Sequence, residues 1–229
     1  HTTDFRNMTL RKPELVLFDL DGTLVDTAAD LAWSIDVTLQ HLDLPPCGEE
    51  KVRAWIGSGI EGLMKRALTN DFNGQPDSAL LDNALTIFKE SYFDNICERS
   101  RIYPGVNEAL AYLKAGEFKI GCVTNKGSRF TDKLLKSLNM YEKFGIVVSG
   151  DTLPVKKPHP EPLLHAAAHY AVDASAVLMV GDSITDINAA RAAGCQILCV
   201  PYGYNMGRNI SDLKPDAVVE TLADLVHLF

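Results

Sequence analysis

Leu15-Val16-Leu17-Phe18-Asp19-Leu20-Asp21-Gly22-Thr23 runs four apolar residues straight into two acids, a glycine and a threonine. A run that is apolar at every position has no solvent face, so it reads as a strand buried on both sides of a sheet. Sheets of that kind open their ligand crevice at the carboxyl ends of their strands, where Asp19 and Asp21 fall. A spacing of two puts both side chains on one side of an extended chain, and Gly22 permits the sharp turn that ends it. Two carboxyls in one site can divide the chemistry. The first attacks an electrophile and the second gives and later takes a proton, provided their surroundings separate their pKa values. The plainer alternative is an acidic turn capping the following helix. A chance D-x-D-G-T in a chain this long is expected only about 0.3% of the time from average composition, which favours the site.

Outward from this stretch, short apolar and β-branched runs recur at 119–124, 146–148, 177–181 and 196–200, with a weaker one at 217–219; the first strand is read as 15–20. Helix-period stretches lie between the later ones, at 107–116, 129–138, 162–170 and 184–194. Strand and helix by turns indicate the α/β class, a doubly wound, Rossmann-like parallel sheet covered on both faces. Residues 27–101 break the rhythm with candidate helices at 30–42, 49–55, 60–67 and 78–92 and no convincing strand. They are read as an inserted α-helical cap domain, with 1–26 and 102–229 forming the catalytic core, to which Tyr103-Pro104-Gly105 returns the chain.

Composition narrows the function. The chain has 229 residues, 46% of them hydrophobic, enough for a sizeable core, and no apolar run approaches the roughly 20 residues that cross a bilayer. A net charge of −8 repels a polyphosphate backbone, so neither nucleic acid nor a membrane is expected as a partner. Cys47, Cys97, Cys122, Cys195 and Cys199 are odd in number, lack CxxC spacing and read as reduced core thiols. The first thirteen residues are polar with no apolar signal region, which makes the cytoplasm the expected compartment.

Three further motifs follow later strands. Thr124-Asn125-Lys126 offers a hydroxyl, an amide and backbone N–H groups suited to phosphoryl oxygens. Lys156-Lys157-Pro158-His159-Pro160 precedes a helix and brings an ammonium that can neutralise a phosphoryl group. Gly181-Asp182-Ser183-Ile184-Thr185-Asp186 delivers two more carboxylates to the same edge of the sheet. Asp19, Asp21, Asp182 and Asp186 together would repel one another without a cation, and hard oxygen donors suit Mg2+, especially when a phosphate supplies another oxygen. Two other matches are discounted. Gly57-Ser58-Gly59-Ile60-Glu61-Gly62 fits GxGxxG but follows a helical stretch where a dinucleotide site needs a strand. His165 and His169 have zinc-helix spacing, but Ala166 stands where the glutamate should be.

With DLDGT, TN, KKP and GDSITD in order along the whole core, the chain resembles the haloacid dehalogenase superfamily. The resemblance implies a Rossmann-like sheet of strand order 5-4-1-2-3 with a mobile helical cap inserted after the first strand. It implies that Asp19 attacks phosphorus to form an aspartyl-phosphate and that Asp21 protonates the leaving alcohol and then activates water. Thr124 and Asn125 would hold the transferring group while Lys157, rather than Lys156, neutralises it. Mg2+ would bind the Asp19 carboxylate, the Asp21 backbone carbonyl and Asp182, with Asp186 as ligand or anchor behind it. Asp21 and the GDxxxD cluster favour phosphoester over carbon–halogen chemistry within the superfamily.

Residues 151–160, Trp55-Ile56-Gly57-Ser58-Gly59 and Tyr202-Gly203-Tyr204-Asn205 are similar to the bacterial phosphoglycolate phosphatases of that superfamily. That likeness implies hydrolysis of a small anionic phosphoester, 2-phosphoglycolate. A sugar-phosphate phosphatase or phosphomutase, or a non-catalytic phosphate-responsive module, are the alternatives. Arg53, Lys65 and Arg66 are candidates on the cap for the substrate's carboxylate. Monomer and homodimer stay open.

Overall fold

In the computed structural model of the protein, which describes residues 9–229, Leu15–Phe18 forms β1, with no side chain of it exposed. The first eight residues, which open the expected 1–26 core segment, lie outside the described residues. Next come β2 (Val25–Asp26), then four helices in succession: α1 (Ala28–His41), α2 (Glu49–Trp55), α3 (Gly59–Thr69) and α4 (Ser78–Asp94). The chain returns through β3 (Arg101–Ile102) and then alternates α5 (Val106–Ala115), β4 (Lys119–Val123), α6 (Ser128–Ser137), β5 (Ile146–Val148) and α7 (Glu161–His169). It closes with β6 (Val177–Gly181), α8 (Ile184–Ala193), β7 (Gln196–Cys199) and β8 (Ala217–Val218).

Six strands form one parallel sheet in the order β5-β4-β1-β6-β7-β8. Numbered among the parallel strands alone and read from β8, this is 6-5-4-1-2-3. The expected 5-4-1-2-3 is therefore present, extended at one edge by the short strand at Ala217–Val218. Alternation along β1 explains why the sheet is covered twice. Val16 and Phe18 join the apolar cluster with α5 and α6, while Leu15 and Leu17 join the cluster with α7 and α8. β1 pairs with β4 on one side and β6 on the other, setting Phe18 level with Cys122 and Val180. The order of connection reverses at β1, so the residues just past β1, β4 and β6 share one crevice.

β2 and β3 pair antiparallel, Val25 with Ile102 and Asp26 with Arg101, a bridge that the sequence does not announce because two residues carry no period. The expectation of no strand within 27–101 is corrected at Arg101 for this reason. A second tie lies beside it. Asp30, fully buried in the first turn of α1, accepts hydrogen bonds from Arg99 N (3.0 Å), Ser100 N (2.8 Å) and Ser100 Oγ (2.7 Å). Asp30→Asn keeps the shape but turns amide hydrogens toward those donors. We expect roughly 1–3 kcal/mol of lost stability in urea unfolding, the cost of leaving buried donors unmet.

The five cysteines all carry free thiols. Cys122, Cys195 and Cys199 are buried as expected, whereas Cys47, between α1 and α2, and Cys97, after α4, are only half-buried. Among the described residues no helix is long and apolar enough to cross a membrane.

Candidate active site at the carboxyl edge of the sheet

The strand ends carry the chemistry because the backbone ladder leaves their last side chains pointing into the crevice. Asp19 N donates to Val180 O (2.9 Å), which continues the β1–β6 pairing one residue beyond the strand. Gly22, at φ +84°, then turns the chain sharply. A Cβ on Gly22 or Gly203 would strike the Asp182 carboxylate, so glycine at both positions lets that carboxylate approach the Asp19–Thr23 loop. Asp182 is held there by Thr23 Oγ (3.1 Å to Oδ1) and the Tyr204 backbone N–H (2.6 Å to Oδ2).

Asp186 lies in the first turn of α8, fully buried. Its Oδ2 accepts from Asp182 N (3.0 Å), and its Oδ1 lies 2.7 Å from Lys157 Nζ. Lys157 is buried and reaches Asp19 Oδ1 at 3.1 Å with the same ammonium. Asp19, Asp182 and Asp186 each bring one carboxylate oxygen within 4.8 Å of the others, the one such group of possible ligands among the described residues. Three hard oxygen donors converging in this way fit a divalent cation. Burial first, then the charge of Asp186, push the Asp19 carboxyl up to about 7. Burial and then the charge of Asp19 raise Asp182 well above the usual carboxylate range. Both shifts express the cost of packing negative charge together in a dry place, which a cation relieves. Lys157 is held further into its charged form: burial opposes this, and the attraction of Asp186 and Asp19 outweighs it.

Asp21 is treated differently. Its carboxylate is outside that close group, and its Oδ1 receives Lys126 Nζ (2.8 Å) and the Thr27 hydroxyl (2.6 Å). Thr27 sits at the N-cap of α1 yet makes no side-chain cap. The Tyr204 hydroxyl takes over that task, accepting from Thr27 N (2.9 Å) and Ala28 N (3.0 Å) and donating to Asp26 Oδ1 (2.6 Å). The start of α1 can therefore spend its hydroxyl on an acid of the site. Thr124, buried after β4, accepts from Lys126 N (3.1 Å), and Asn125 Nδ2 donates to the Lys157 carbonyl (2.8 Å) while its Oδ1 is buried without a partner.

A cavity of about 380 Å³ opens over these groups. Its polar side carries Asp19, Asp21, Thr124, Asn125, Lys157 and Asp182, and its apolar side is supplied by Leu31, Ile56, Ile60, Leu63 and Leu85 from the helical segment. Lys156 also lines it but is exposed, unlike Lys157. Arg53, Lys65 and Arg66 do not line it. Arg53 is paired with Asp26 and Glu49, Lys65 with Glu61, and Arg66 bonds the Trp55 and Phe72 carbonyls. The expectation that one of them faces a substrate carboxylate is therefore corrected, because each finds a nearer partner on or beside its own helix. The ion pair of Lys126 with Asp21 is what sequence reading missed. The signal was the lysine next to Thr124-Asn125, with nothing in the spacing to reveal its burial. Gly57 lies in the turn after α2 and Gly59 opens α3, and His165 and His169 are exposed on α7, so neither discounted motif acquires a strand or a metal set.

A family model for haloacid dehalogenase-like hydrolases matches residues 16–200. The chain belongs to the haloacid dehalogenase-like hydrolases. Curated relatives of this hydrolase include proteins named phosphoglycolate phosphatase. One from Nitrosococcus oceani is 51% identical over 96% of this chain and 97% of its own, and one from Nitrosospira multiformis is 47% identical over 93% and 94%. A solved structure described as a predicted phosphoglycolate phosphatase from Haemophilus somnus 129PT matches the hydrolase with a TM-score of 0.90 at 34% identity, covering 96% of this chain and 99% of that one.

Proposed function

We propose that this hydrolase is a Mg2+-dependent phosphomonoesterase that converts 2-phosphoglycolate to glycolate and phosphate through an aspartyl-phosphate on Asp19. The observation that carries the reading is the division between its two loop acids. Asp19 sits against Lys157 and the Asp182–Asp186 pair, and Asp21 is held apart from them by Lys126 and Thr27. The close relatives named phosphoglycolate phosphatase supply the substrate. In the first step a carboxylate oxygen of Asp19 bonds to phosphorus as the ester P–O bond breaks, and protonated Asp21 gives its proton to the departing glycolate oxygen. In the second, ionised Asp21 takes a proton from water, whose oxygen displaces Asp19 and completes phosphate. Thr124 and Asn125 hold the phosphoryl oxygens and Lys157 offsets their charge.

Asp19, Asp182 and the Asp21 backbone carbonyl would hold Mg2+, which when bound neutralises phosphoryl and carboxylate charge in the crevice. Asp186 is paired with the Lys157 ammonium at one oxygen and with Asp182 N at the other, whereas Asp182 meets only neutral donors, so we read Asp186 as the anchor of the set. Residues 27–101 serve as the cap domain that closes apolar side chains over the small substrate and excludes water, with 1–26 and 102–229 as the catalytic core. We place the enzyme in the cytoplasm, where its unpaired thiols stay reduced.

The test is phosphate release from 2-phosphoglycolate beside sugar phosphates, nucleotides and pyrophosphate, with Mg2+ and then with chelator. We expect a strong preference for 2-phosphoglycolate that chelator abolishes. Equal or faster release from another ester would overturn the substrate, an isomeric sugar phosphate as product would identify a mutase, and failure to turn over any ester would leave a phosphate-responsive module.

A further inference from the structure

The cavity holds five cationic side chains: Lys89, Lys126, Arg129, Lys156 and Lys157. Lys89, Arg129 and Lys156 are exposed, and Arg129 lies over the Phe93 ring at 4.1 Å. Lys157 is committed to Asp19 and Asp186. Lys126 is different. It is buried, one side of its ammonium is 2.8 Å from Asp21 Oδ1, and another faces the Tyr92 ring of α4 at 4.8 Å. An ammonium has three N–H donors; Asp21 takes one and Tyr92 meets another, which leaves one for a further acceptor. A buried ammonium with a spare donor is costly, and a second anion beside it would offset that cost.

Resting on the phosphoglycolate reading, we propose that Lys126 is the specificity-determining cation that binds the substrate's carboxylate. The argument is one of reach. To protonate the leaving oxygen, Asp21 must come within hydrogen-bonding distance of it, about 2.7 Å. In 2-phosphoglycolate the carboxylate carbon is two bonds from that same oxygen, so the carboxylate falls where the acid and its lysine partner meet. An uncharged alkyl group there would leave the spare donor of Lys126 unmet, which penalises esters lacking the carboxylate. The same ammonium thus holds the proton donor and reads the group attached to the atom being protonated.

The test is Lys126→Met, assayed on 2-phosphoglycolate and on ethyl phosphate, which also releases a primary alkoxide of two carbons but lacks the carboxylate. Misplacement of Asp21 slows both esters, and ethyl phosphate at least as much because ethanol is the weaker acid, so it cannot by itself lower the ratio of 2-phosphoglycolate to ethyl phosphate kcat/KM values. We expect that ratio to fall roughly 10- to 100-fold, the effect of one lost charge-assisted hydrogen bond. Inhibition should follow the same pattern, with 3-phosphonopropionate losing its advantage over propylphosphonate, and Lys126→Arg should recover part of it. On the unaltered protein, the Nζ resonance of Lys126 should shift on adding 3-phosphonopropionate and not propylphosphonate, so the assignment stands or falls even if the methionine variant does not fold. An unchanged substrate ratio, or a resonance that ignores the carboxylate, overturns it. If the unaltered enzyme itself shows no preference for 2-phosphoglycolate over ethyl phosphate, it is the reading of the substrate that fails.

Discussion

Asp19→Asn is expected to lower kcat on 2-phosphoglycolate by roughly 10⁴-fold or more, because an amide offers phosphorus no anionic oxygen and the covalent route is lost altogether. Asp21→Asn should cost less, about 10²- to 10⁴-fold, the range of general acid–base catalysis. The two losses should also differ in kind. Asp21 matters in the first step only as far as the leaving oxygen needs a proton, so its variant should recover much of its phosphorylation rate on acetyl phosphate, whose leaving carboxylate departs without one. Asp19→Asn should gain nothing from that change of substrate. Rapid-quench measurement of acid-stable enzyme-bound phosphate separates the cases: label accumulates in the Asp21 variant on acetyl phosphate and is absent from the Asp19 variant on every substrate. Label on Asp19→Asn would place the nucleophile elsewhere. Circular dichroism should show both variants folded, since each exchange keeps volume: at Asp19 it removes a negative charge from the crowded carboxylate group, and at Asp21 the amide oxygen still accepts from Lys126.

The placement of these acids was legible because the strand ends are legible. A run such as Leu15–Phe18 can only be interior, and whatever polar residues follow it are delivered to the crevice by the ladder itself. The same holds for Thr124 after β4 and Asp182 after β6, and the helix limits read from apolar period fall within about two residues of those observed. What stayed hidden was set by partners far away in sequence. The β2–β3 bridge depends on a pairing across the whole helical segment, between Asp26 and Arg101. Tyr204 caps α1 from the loop after β7, which no local rule could suggest given that Thr27 is itself a good cap. Arg53, Lys65 and Arg66 looked free in sequence because a helix-face charge shows its sign and not its partner, whereas Lys126 looked incidental and is buried against Asp21.

The second large effect is expected from Lys157→Met. The Lys157 ammonium lies between Asp186 Oδ1 at 2.7 Å and Asp19 Oδ1 at 3.1 Å, with Asp182 beside them, all within a buried edge of the sheet. Removing it deletes a phosphoryl-neutralising charge, which should lower kcat/KM by about 10²- to 10³-fold. It also leaves buried carboxylates without their cation, which should cost roughly 3–5 kcal/mol of unfolding free energy at pH 8 with chelator present. The pH dependence gives the sign that a simple packing loss would not. Losing the ammonium drives the Asp19 carboxyl, already near 7, further up, so the folded variant binds protons that its unfolded chain releases. A carboxyl raised in the fold contributes stability below its unfolded pKa and loses it as pH rises through the folded one. The variant's deficit should therefore shrink toward pH 5 and widen toward pH 8, and Mg2+ should raise the melting temperature of the variant more than that of the parent, since the metal becomes the only cation left among the acids. A deficit independent of pH and of Mg2+ would mean that Lys157 acts through packing alone and that Asp19 and Asp186 do not share its charge.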